Sequence, residues 1–408
     1  MARSGLSELR FAQSDSDARG RVVRCRSTVL LPTYIDFSRQ SATFTDAGGG
    51  EERLALPADA AKLAEEFKAV EIDYRSDLLT LHLPAGGTVV AELGLQDPDD
   101  VGGRPVVYLD QNQWSTLAAV HFGLRDVPAE TANAARRMLA LGTSGEIVLP
   151  ISAGHAIETG PQFSHRRVAL ATTMLEGSRG WQMRHPVRVR AVEFDRVVGD
   201  GRLAGTEHAV FTRTPDVLWT RRLYPGPSIP IPPLDRLFPR LTDLASYAAT
   251  MRDPDALADQ RNAADGWIAQ WTRISEFLER EQAGADRTYE VTFGAVLADL
   301  AEDLLLRAPV EQLTRWFDES ARTDVAAMPY MSRTMWVMFA RLRNRTGSWQ
   351  RNDFVDLMFL PCASAYADVV IGERRTIADL RRATLCPAGA ELATGLVEGL
   401  PLIEARLA

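Results

Sequence analysis

A short apolar run, Val106-Val107-Tyr108-Leu109, stops on an acidic residue, Asp110, and passes directly into Gln111-Asn112-Gln113-Trp114-Ser115. The run follows the breaker Gly102-Gly103-Arg104-Pro105, and its β-branched and aromatic residues favour a short buried strand. Thr116-Leu117-Ala118-Ala119-Val120-His121 then continues as a helix. In open α/β sheets, ligands bind where strands end at their carboxyl edge. A carboxylate there is either the cap of the following helix or a ligand for a metal or substrate.

From residue 105 strands and helices alternate. A second helix is expected over 128–141, opened by Pro128 and Glu130 and closed by Gly142. Glu146-Ile147-Val148-Leu149-Pro150-Ile151-Ser152 reads as a second buried strand, leading into Ala153-Gly154-His155-Ala156-Ile157-Glu158. This β-α-β-α order predicts a parallel sheet with helices on both faces. Near the C-terminus Asn352 would cap a helix that places Asp353 and Asp356 on one face of its first turn. Val369-Val370-Ile371 is a further strand, with Asp368 before it and Glu373 beyond its carboxyl end.

The flanking regions carry no comparable pattern. Residues 1–104 read as a small α+β domain, with strands at 27–32, 42–45, 76–83 and 87–93 and a helix over 57–70. Residues 161–195 are helical and basic, and 224–233 form a Pro-rich spacer. From 234 to 345 the pattern is helical; Trp267, Trp271, Phe277, Trp336 and Phe339 fall at core spacing. The expected organisation is therefore 1–104, an α/β domain in two parts (105–195 and 346–408), and a helical insertion over 196–345.

Composition narrows the chemistry. A net charge of −8 over 408 residues excludes a generally basic nucleic-acid binder, so any such surface must be local. The three cysteines, Cys25, Cys362 and Cys386, are far apart and odd in number, which argues for a reducing compartment and against a zinc site. No signal core and no run of 18 apolar residues is found, so a cytoplasmic protein without membrane contact is expected. The His pair of a zinc hydrolase and the Gly-rich loops of nucleotide-binding enzymes are also missing from the sequence.

If the strands neighbour one another, Asp110, Glu158, Asp356 and Glu373 converge on one sheet edge, with Asp353 and Asp368 in reserve. Clustered carboxylates repel without a counter-charge. Mg²⁺ or Mn²⁺ is the natural complement, being hard and oxygen-seeking, and such ions activate water for phosphoryl chemistry.

These segments resemble PIN-domain ribonucleases. Leu109-Asp110-Gln111-Asn112 is similar to that family's opening motif, with Gln111 where Thr is common. Ile151 to Glu158 is similar to the second motif, and the stretches 352–357 and 366–373 to the third and fourth. The resemblance implies a Rossmann-like sheet and a metal-dependent endoribonuclease acting on RNA, toxin-like or a defence effector. Asp110, Glu158, Asp356 and Glu373 would then be catalytic and hold the ions. Asn112 and Ser152, together with Arg351 and Arg374, would contact substrate, and a toxin-like role would add an inhibitor or partner protein. His155, three residues before Glu158, would reach the site or fill the core. The basic surface for RNA would come from Arg341, Arg343, Arg345, Arg351, Arg374, Arg375, Arg381 and Arg382. The rival reading is an inactive relative that binds a partner through its helical insertion. The sequence leaves the oligomeric state open.

Overall fold

The computed structural model describes residues 30–408 apart from 47, 57, 95–96, 160–163, 200–208, 220–233, 254, 256, 345–347 and 384–385. Cys25, Arg345, the Pro-rich passage and residues 27–29 of the first expected strand lie outside the described residues. The chain divides into two units. The first takes residues to 98 with 213–216 and 222–249; the second takes 99–212, 217–221 and 250–408.

In the first unit, β1 (Leu30–Asp36), β2 (Ser41–Asp46), β3 (Glu51–Ala55), β4 (Ala69–Asp73), β5 (Leu78–His82) and β6 (Thr88–Glu92) form one antiparallel sheet in the order β3-β2-β1-β4-β5-β6. Alternation fixes its inner face: Ala42 and Phe44, Val70 and Ile72, Leu79 and Leu81, Val89 and Ala91 are buried. The helix expected over 57–70 is a 3-10 segment, Ala58–Glu65. Its C-terminal end instead forms β4, because Ala69-Val70-Glu71-Ile72-Asp73 alternates with period two and pairs with both β1 and β5.

The second unit contains β7 (Val107–Leu109), α1 (Gln111–Phe122), α2 (Ala129–Ser144), α3 (Ala153–Thr159), α4 (Ser164–Ser178), β8 (Gln182–Met183), α5 (Pro186–Asp195) and β9 (Phe211–Thr212). Helices follow: α6 (Leu234–Arg252), which belongs to the first unit up to Ala249, α7 (Ala258–Arg280), α8 (Ala285–Ala298), α9 (Ala301–Leu305), α10 (Val310–Glu319), α11 (Ala321–Ala327) and α12 (Pro329–Arg343). The chain closes with α13 (Arg351–Tyr366), β10 (Val369–Ile371), α14 (Arg374–Arg381), β11 (Glu391–Ala393) and α15 (Leu396–Leu407). No described helix is long and apolar enough to cross a membrane.

Among the described residues the expected Rossmann-like sheet is not formed. In its place is a parallel sheet of three strands, order β11-β10-β7, each three residues long, beside a largely helical remainder. The run 146–152 does not become a strand of it. Val148 makes one bridge to Val106 and Ile151 one bridge to Gln182, and no ladder forms between them. Pro150 stands between those two residues and has no N–H to donate. Gly142 likewise does not end α2. It is buried within the helix, where an added Cβ would lie 2.5 Å from Leu149 Cδ1 and 2.8 Å from the Gly177 carbonyl; Gly145, at φ +78°, closes the helix.

The register of the small sheet sets the next level. Val107 pairs with Val369 and Leu109 with Ile371, both strands running the same way. Asp110 and Glu373 therefore leave the sheet at the same edge, while Asp368 lies at the opposite one.

Candidate metal centre

Asp110 is 6% exposed. Its backbone N–H donates to the Ile371 carbonyl (3.0 Å), and one carboxylate oxygen accepts the Gln113 N–H (3.1 Å), so it caps α1 as Asp commonly does. Burial pushes its pKa up to about 7, aided by the charge of Glu373; the N–H groups of Gln113, Asn112 and Glu373 act the other way. Glu373 occupies the N-cap position of α14 just beyond β10, with no side-chain cap bond, and is exposed.

Glu158 comes from α3 and Asp356 from α13, each partly exposed. Burial holds both carboxyls well above the usual carboxylate range. For Glu158 the charges of Asp356, Asp110 and Glu373 add to this; for Asp356 those of Asp110, Glu373 and Asp353 do. The structure thus brings four acids from four elements within one another's field. Among the described residues, the influences shifting Glu158 and Asp356 include no cation. An uncompensated carboxylate cluster of this kind suits a hard divalent cation. Among the described residues no three His, Cys, Asp or Glu side chains already stand as a group able to hold an ion, so the coupling is one of charge rather than of a preformed cage.

Neutral buried groups position the acids. His155 accepts the Ser152 N–H at Nδ1 (3.0 Å) and reaches the Leu109 carbonyl from Nε2 (2.8 Å). These partners assign the proton to Nε2. Burial lowers the pKa of His155 to about 4, so the ring is neutral. It stacks on Tyr108 (centroids 5.3 Å apart), whose hydroxyl hydrogen-bonds Ser152 Oγ (2.9 Å). His155 therefore ties the residue before Asp110 to the helix that bears Glu158. Gln111, also buried, donates to Thr159 Oγ1 (2.5 Å), which donates to the His155 carbonyl (2.6 Å). Gly154 lets α3 approach α13: a Cβ there would lie 2.9 Å from Val355 Cγ1 and 3.0 Å from Phe359 Cδ2.

The other candidates stand elsewhere. Asp368 accepts the Val106 N–H (2.8 Å) and pairs with Arg406 (3.0 Å) at the far edge of the sheet. Gln350, not the expected Asn352, stands at the N-cap of α13; Asp353 completes its capping box by accepting the Gln350 N–H (2.7 Å) and pairs with buried Arg341 (2.6 Å), reaching the cluster through its charge on Asp356. Ser152 is fully buried, Asn112 is exposed with its N–H toward Asp110, and Arg374 is exposed on α14. Arg351 makes two bonds to Asp265 (both 2.6 Å). Sequence reasoning assigns no role to Tyr108, Gln111 or Thr159. Their signal was faint: polar atoms within apolar runs that flank an acidic position.

No family model, no curated protein and no solved structure matches this chain.

Proposed function

We propose that this protein is a metal-dependent endoribonuclease that hydrolyses RNA phosphodiester bonds, with Mg²⁺ or Mn²⁺ held by Asp110, Glu158, Asp356 and Glu373. The observation that carries this reading is the mutual charge influence among these four acids, with no cation among the described residues acting on the central pair. A divalent ion, when bound, supplies the missing positive charge, lowers the pKa of a water and stabilises charge on the phosphoryl oxygens. The chain's own groups prepare that chemistry. Backbone N–H groups at the start of α1 orient Asp110, neutral His155 fixes the β7–α3 junction, and Gly154 sets how closely Glu158 approaches Asp356.

The test is incubation of labelled RNA with the full chain and Mn²⁺ or Mg²⁺, beside Asp110→Asn and Glu158→Gln. Cleavage is expected from the parent alone. Equal activity in all three overturns the reading.

A second reading is a binding protein acting through the helices between 234 and 343. It draws on the exposed apolar side chains Leu305, Leu306, Val310 and Phe317 on and around α9 and α10. Calorimetric titration with Mn²⁺ separates the two: no heat that depends on Asp110 and Glu158 favours the binding protein.

A further inference from the structure

The arginines that the sequence offered for RNA are mostly engaged. Arg341 pairs with Asp353, Arg351 with Asp265, Arg381 with Glu398 and Arg382 with Asp379; Arg375 lies 3.7 Å from Asp353. A different pair remains available beside the acids. Between α1 and α4 runs a groove lined by Asn112, Ser115, Arg125 and Arg166 over an apolar floor that includes Ala119 and Leu170. Arg125 and Arg166 are exposed, and neither has a carboxylate partner among the described residues.

One of the groove's lining residues, Asn112, stands two positions beyond Asp110 at the start of α1. The N–H of Asn112 faces the Asp110 carboxylate, and the Asn112 carbonyl accepts the Thr116 hydroxyl (2.9 Å). Arg125 in turn donates to Thr116 Oγ1 (3.3 Å). Its guanidinium therefore sits at the level of Thr116, about 9 Å of helix rise beyond Asp110. A phosphate held there is a neighbour of the one at the acids, not the same one. Amide and hydroxyl at the inner end, guanidinium groups farther out and an apolar floor match a ribose-phosphate chain whose sugar or base faces rest on carbon.

We propose that this groove is the subsite for single-stranded RNA, with Arg125 and Arg166 holding a phosphodiester that flanks the scissile one and Asn112 and Ser115 hydrogen-bonding the connecting ribose-phosphate. The identity of the ligand rests on the nuclease reading. The groove also carries a specific consequence: the RNA path crosses α1 and α4 rather than α12 to α14.

The experiment measures binding apart from cleavage. A fluorescent single-stranded decaribonucleotide is titrated against the full chain carrying Glu158→Gln, by anisotropy over a range of salt. Arg125→Ala and Arg166→Ala are added singly and together, with Arg322→Ala, an exposed arginine paired with Glu290 elsewhere, as control. Each groove substitution should weaken binding about tenfold, the low end for charged hydrogen bonds at an exposed site. The double substitution should make the slope of log affinity against log salt shallower by about 0.7, since both arginines hold one phosphate and single strands lose roughly 0.7 per phosphate neutralised. In the parent background the same substitutions should raise KM and leave kcat unchanged.

Unchanged affinity and salt slope in the double variant overturn the groove, whether or not the parent cleaves. Weakening by Arg322→Ala to the same degree also overturns it, as diffuse charge attraction. Arginine-dependent binding by a parent that never cleaves supports the groove and removes the nuclease reading. Arginine-dependent binding of a duplex in preference to the single strand overturns the assignment of ligand.

Discussion

Asp110 satisfies two demands that oppose one another. As a cap it accepts an N–H, which favours the anion; as a buried group beside Glu373 it is pushed up to about 7. The sign of the consequence follows from proton counting. A carboxyl with a raised folded pKa binds more protons folded than unfolded, so in chelator the stability falls as pH rises from about 4 to about 7. Asp110→Asn keeps the cap and removes the charge, since Asn caps as well as Asp. It should raise the metal-free melting temperature at pH 8, by up to about 4 kcal/mol of stability, and leave it unchanged near pH 4. Melts across that range in chelator check this, and an Asn variant destabilised equally at both ends contradicts it. With Mn²⁺ present the dependence reverses, because ligation needs the deprotonated acid. His155 predicts a different result. His155→Ala leaves the Ser152 N–H and the Leu109 carbonyl without this partner in a buried setting, a loss of roughly 3 kcal/mol. Denaturant titration measures that loss, and a fall in Mn²⁺ affinity beyond it distinguishes positioning from mere filling.

At the scale of elements, the local pattern was informative about strand ends and poor about strand extent. Val107–Leu109 and Val369–Ile371 form where the apolar β-branched runs stand, and the acids leave them as the order of residues requires. Residues 146–152 carry the same kind of run, yet Pro150 and the bridges to two different partners keep them out of the ladder. A glycine with a packing role also obscures where a helix ends. Gly142 reads as a stop, but its missing Cβ accommodates Leu149 and the Gly177 carbonyl. The same logic makes Gly154 a test of how the elements set the site. Gly154→Ala drives a methyl against Val355 and Phe359 of α13, at an overpacking cost of about 1–3 kcal/mol. It touches no acid, yet should part Glu158 from Asp356 and lower Mn²⁺ affinity in calorimetry. Unchanged affinity would show that the α3–α13 spacing is irrelevant to the centre.

Taken whole, the chain holds its candidate chemistry in one of its two units, since Asp110, Glu158, Asp356 and Glu373 all belong to the second. The first unit has its own buried charge pair: Arg213, 7% exposed, bonds Glu92 at 2.8 Å and the carbonyls of Asp97 and Pro98. Arg213→Ala removes these bonds to Glu92 and to the two carbonyls and should cost about 1.5–3 kcal/mol, read as an earlier unfolding transition, while Mn²⁺ affinity at the acids stays as in the parent. What the residue order determined by itself was which carboxylates stand at strand ends and helix starts, because an apolar run followed by an acid is a property of neighbours in the chain. What only the tertiary structure decided was which acids share a field, which arginines are already bound to carboxylates, and that the parallel sheet stays three strands wide. Those outcomes depend on pairing and burial between segments far apart in sequence, where a single proline or a missing Cβ redirects the packing.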